Sequence, residues 1–152
     1  LPLVALAGAG AAGVHFVVMP EHFQEATLYG LFFAVAATTQ LIYSVWLLVR
    51  PSRALLTIGA IGNAAIVVLW LVTRLVAIPL GPAAGSTEEF GGLDILATVF
   101  ELGMVIGAVV LIRRPLPMLR SLRPATWSPV IWTLVPLAVF AIGVTSFVAP
   151  PS

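Results

Sequence analysis

Hydrophobic residues run along this chain in blocks too long for the helices of a small soluble core, and short polar clusters separate them. The blocks cover about residues 3–19, 20–49, 54–78, 93–112 and 130–149. A hydrocarbon core of about 30 Å is crossed by roughly 20 helical residues. The pattern therefore predicts an all-α fold, a polytopic integral membrane bundle of five transmembrane helices, built as a four-helix unit plus one. The clusters between blocks are helix breakers: Pro20, Arg50-Pro51, Pro79 with Gly81-Pro82, and Arg113-Arg114-Pro115. Pro20 reads as the first turn of the second helix, where its missing N–H costs nothing, with Glu21 and Glu25 following at the positive end of the helix dipole. On that reading the second helix measures about 45 Å, and its first turns stand in the headgroup region.

The first block carries Gly8, Gly10, Ala12 and Gly13, small residues that let another helix approach closely. An N-terminal apolar run of this kind is also the form of a secretory signal peptide; here it reads as a retained first span. The absence of an initiator Met predicts residues upstream of Leu1.

Composition sharpens the class. The chain has 152 residues, 61% of them hydrophobic, with a mean hydropathy of +1.13. One membrane domain over 1–152 is expected, because the longest polar stretch, 81–92, is too short for a soluble domain. Lysine and cysteine are both absent, which removes disulfides, thiolate metal sites and cysteine nucleophiles. A formal net charge of +1 hides a strong sidedness. Glu21, Glu25, Glu88, Glu89, Asp94 and Glu101 lie toward one end of the apolar blocks, whereas every arginine except Arg74 lies toward the other. The positive-inside rule makes the arginine loops at 50–53 and 113–123 cytoplasmic, with a cytoplasmic N-terminus, in a cell inner (plasma) membrane. No basic stripe suits a nucleic acid. The expected partners are the lipid bilayer and other membrane protein chains.

Two groups of polar residues hold the candidate chemistry. Near the acidic end, His15 at the top of the first span and His22, Glu25 and Glu21 at the start of the second form a mixed nitrogen and oxygen set. Imidazole and carboxylate suit several divalent transition metals, copper, zinc or iron among them, without selecting one. The alternative is solvated surface histidines beside two acids that start a helix. A bis-histidine haem within one chain is disfavoured, since neighbouring helices pack about 8–10 Å apart and leave no room for a porphyrin.

Deeper in the blocks lie Glu101, Gln40 and Asn63, with Arg74 nearer the acidic end. An intramembrane carboxylate must be paired or protonated. Arg74 is its expected partner and His15 the alternative, while Gln40 and Asn63 lie at one depth and can hydrogen-bond across helices. This layer is either packing glue, or part of an ion or proton path, or the floor of a lipid, quinone or helix groove walled by Phe32, Phe33, Phe100 and Met104. There is no GxSxG, Walker or HExxH motif, so the usual residues for autonomous catalysis are missing.

The runs Val14-His15-Phe16-Val17-Val18-Met19-Pro20-Glu21-His22-Phe23 and Leu28-Tyr29-Gly30-Leu31-Phe32-Phe33, with Gly62-Asn63 and Trp70-Leu71-Val72-Thr73-Arg74, resemble small multi-pass membrane proteins of high-GC bacteria that carry no assigned function. The resemblance spans about residues 14–112. It implies a four-helix unit with an added span and supplies no activity. The expectation is a non-enzymatic or accessory membrane protein with an outward His/Glu metal-binding cluster. Its alternatives are a structural subunit of a larger complex such as a membrane oxidoreductase, and an ion or proton transporter using Glu101.

Overall fold

The structure is a computed structural model, and it describes residues 1–79 and 84–114. These residues form four helices: α1 (Pro2–Glu25), α2 (Thr27–Val49), α3 (Arg53–Leu75) and α4 (Gly92–Ile112). Each is long and apolar enough to cross a membrane. The fifth helix expected over 130–149 lies outside the described residues, as do Arg120 and Arg123.

The first connection differs from the expected one. Pro20 does not open a new helix; it lies inside α1, which continues to Glu25. The turn is instead the single extended residue Ala26, whose N–H donates to His22 O at 3.0 Å. Length explains the difference. A helix ending at Met19 would span only about 25 Å and a second helix from Pro20 about 45 Å, whereas the observed helices of 24 and 23 residues both measure about 35 Å. Continuing the helix also keeps all but one of the backbone bonds around Pro20 inside the segment, which hydrocarbon demands.

The other boundaries follow local chemistry. Ser52 caps α3 by accepting the Leu55 N–H at 3.1 Å, and Asp94 sits in the first turn of α4, where the dipole favours an acid. Between α3 and α4 the chain turns at Gly85, whose φ of 84° suits only glycine without strain. Glu88 N–H donates back to Thr73 O at 3.1 Å and so fastens this loop to the end of α3.

Around the bundle the order is α2, α1, α4, α3, so α1 and α4 are the inner helices, with α1 packed between α2 and α4. The small residues of α1 explain why. Ala5, Ala11 and Ala12 are almost wholly buried, Gly8 meets Ser44 of α2 and Met104 of α4, and Gly10 lies against Phe100. The backbones of α2 and α3, although consecutive in sequence, hardly approach each other. At the arginine end the interior is closed by Val4, Leu47, Leu56, Met104 and Ala108, and Arg53 Nη2 donates to Arg114 O at 3.2 Å. Between α2 and α3 the gap stays open at both ends, as a cavity toward the acidic end and as a groove walled by Ile42, Tyr43, Trp46, Leu55 and Ile58 toward the arginine end.

Candidate functional site

At mid-depth each helix contributes one polar side chain to a continuous hydrogen-bonded layer. His15 of α1 faces Glu101 of α4, with Nε2 to Oε1 at 3.0 Å. Gln40 of α2 donates through Nε2 to the same carboxyl oxygen at 3.2 Å and to Asn63 Oδ1 of α3 at 3.0 Å. Asn63 Nδ2 then donates to Gly59 O at 2.8 Å, one turn back along its own helix. All four residues are at least 95% buried. The sequence placed Gln40, Asn63 and Glu101 among the polar groups that must find partners, and the helices do join them.

The partner of Glu101 is His15, not Arg74. Arg74 is held at the acidic end by Asp94 Oδ2 at 2.6 Å and Glu88 Oε2 at 3.0 Å, with its guanidinium 5.1 Å from the Trp70 ring. Depth decides this exchange. Asp94 and Arg74 occupy facing helix ends, whereas Glu101 is seven residues farther along α4, about 10 Å deeper. His15 reaches that depth from α1.

The expected metal cluster is not assembled. Because α1 passes through Pro20, His15 and His22 lie on one helix two turns apart, about 10 Å along its axis. Each imidazole has its own engagement: His15 with Glu101, and His22 through an Nδ1–H donated to Val18 O at 2.9 Å. Glu21 and Glu25 are exposed. Among the described residues, no group of three or more His, Asp or Glu side chains is placed to hold a metal ion.

What the bundle builds instead is a cavity of about 400 Å³ between the acidic ends of the helices. Its walls are apolar and aromatic, with Tyr29, Phe32 and Phe33 from α2 and Ile66, Leu69 and Trp70 from α3. His15 and Glu101 lie at its deep end, and Arg74, Asp94 and Glu88 surround its mouth. Phe33 packs on both histidines, with ring centroids 5.4 Å from His15 and 4.0 Å from His22. Of the four expected wall residues, Phe32 and Phe33 do line this space. Phe100 packs on Gly10 and Met104 on Gly8, both within the helix contacts of α1.

The α3 wall is the part that the sequence reading missed. Ile66, Leu69, Trp70 and Thr73 recur at helical spacing on one face. That stripe, ending at the polar pair Thr73-Arg74, was the available signal.

Compared with known proteins, the chain matches no family model, no curated protein and no solved structure. The site is therefore read from its own geometry.

Proposed function

We propose that the chain is a non-enzymatic integral membrane protein that binds a small apolar molecule of the bilayer in the cavity between α2 and α3. The observation that carries this reading is the cavity itself. Its volume of about 400 Å³, apolar walls and few convergent polar groups match the usual construction of small-molecule sites. The polar layer at its deep end is fixed by five hydrogen bonds contributed by all four helices and by Ser44, whose Oγ donates to Gln40 O at 2.7 Å. Such a floor is preorganised, so a ligand meets a rigid surface and does not have to order it. Entry is from the side: Leu28, Phe32 and Leu69 are exposed around the α2–α3 gap, where a molecule dissolved in lipid arrives directly.

In the same proposal the arginine end is cytoplasmic, the cavity opens toward the outer half of the plasma membrane, and residues 130–149 supply a fifth span. Transport has less support. The polar layer ends on the Gly59 carbonyl, and the space beyond it toward the arginines is filled by the apolar cluster of Leu47, Leu56 and Met104.

A photoreactive alkyl diazirine tests the reading on purified protein in nanodiscs. The expected adducts concentrate on Tyr29, Leu69 and Trp70 and disappear with excess unlabelled alkane. Adducts spread over lipid-facing residues such as Ile61 and Ile106, insensitive to competitor, would overturn it.

A further inference from the structure

Five buried side-chain polar atoms have no hydrogen-bond partner among the described residues, and three belong to residues lining this cavity: His15 Nδ1, Trp70 Nε1 and Arg74 Nε. The other two, Gln40 Oε1 and Tyr43 Oη, belong to residues outside its lining. An indole N–H and a guanidinium N–H can only donate. The role of His15 follows from the charge of its pair with Glu101. Both side chains are at least 95% buried, and a net charge at that depth is costly, so the pair is neutral overall. Neutrality alone does not place the ring proton, since a neutral imidazole donating through Nε2 to a protonated carboxyl would leave Nδ1 bare. Glu101 Oε1 also accepts an N–H from Gln40 Nε2, and an oxygen that receives two N–H donors suits a carboxylate facing an imidazolium. In that ionic state both ring nitrogens carry protons, and His15 Nδ1 is a donor.

All three unpartnered groups of the cavity are therefore donors, and each lacks an acceptor. Water at these donors would satisfy the polar points of the cavity but not the apolar surface that makes up most of its lining. An oxygen acceptor on an apolar body satisfies both features at once. The charge of the mouth narrows the class further. Arg74 already faces two carboxylates, Asp94 and Glu88, which leaves the lining net negative and works against a fatty-acid carboxylate or a phosphate.

We infer that the cavity takes an uncharged, membrane-soluble carbonyl compound of the quinone type, with a ligand oxygen accepting the proton of His15 Nδ1. The inference rests on the cavity being a ligand site and adds the chemistry of the ligand. Trp70 and Arg74 supply further donors on the α3 and mouth sides, suited to a second oxygen across the ring.

Histidine-selective ¹⁵N labelling of the full chain in nanodiscs tests this, because the protein has only two histidines and His22→Gln assigns the signals. The probes are a decyl-substituted benzoquinone and, as a control without acceptors, decylbenzene. The quinone is expected to shift the His15 Nδ1–H resonance downfield and saturably. Decylbenzene is expected to compete without producing that shift. His15→Phe is expected to weaken the quinone about tenfold, as loss of one buried hydrogen bond does, and to leave decylbenzene within about twofold. Saturable, mutually competitive binding of both probes with the His15 resonance unmoved would overturn the acceptor assignment while leaving the cavity a ligand site. Absence of saturable binding by either probe would remove both.

Discussion

Glu101 and His15 are each acceptable in the bundle only because of the other. Removing one partner of a buried pair leaves an uncompensated group, which costs about 3–5 kcal/mol, whereas replacing both by apolar residues is often close to neutral. His15→Leu should therefore destabilise the protein more than Glu101→Gln, which retains a neutral hydrogen-bonding group beside Gln40, at a cost of about 1 kcal/mol. The double variant His15→Leu/Glu101→Leu should recover much of the loss of the single one. A double-mutant cycle on denaturation midpoints reads this directly; additive losses would mean that the two side chains do not act as a pair. Arg74→Leu should cost less, because Asp94 and Glu88 are 24% and 35% exposed and water can take over part of their solvation.

The helices carry their own predictions. Gly8 lies against Ser44 and Met104 where α1 crosses both neighbours, while nothing stands within 4 Å of a Cβ built at Gly62. Gly8→Val should therefore separate the central helices and lower stability by about 1–3 kcal/mol, as overpacking does. Gly62→Ala should be neutral or stabilising by up to about 1 kcal/mol, since alanine loses less backbone freedom in a helix. Thermal denaturation of the two variants side by side is the check, and equal losses would contradict the close packing at Gly8. The extents of α3 and α4 were legible in the sequence to within about three residues, because Arg50-Pro51, Pro79 with Gly81-Pro82, and Arg113-Arg114-Pro115 interrupt the apolar blocks near the observed helix ends. The end of α1 was not. Pro20 is a breaker by local rules, and only the need for two membrane-length helices overrides it. The same shift of six residues carried His22 onto the helix of His15 and dissolved the metal cluster.

At the scale of the molecule, sequence depth identified Gln40 and Asn63 as partners and Glu101 as a group that must be paired, because polar groups in apolar helices must be satisfied; that Gln40 also reaches Glu101 was not foreseen. Choosing between His15 and Arg74 needed the order of helices around the bundle, which no single helix encodes. The cavity was invisible for the same reason, being a consequence of α2 and α3 standing apart. The charge sidedness makes a separate prediction. On this cysteine-free chain, Ser86→Cys should react with an impermeant maleimide added to intact cells and Ser52→Cys should not; the reverse pattern would invert the topology. The most direct test of the ligand reading is an experimental structure of the full chain purified from its native membrane without added ligand. The account predicts a bound organic molecule between α2 and α3, with one oxygen within hydrogen-bond distance of His15 Nδ1. A cavity filled by the protein's own side chains, or by water alone, would contradict it.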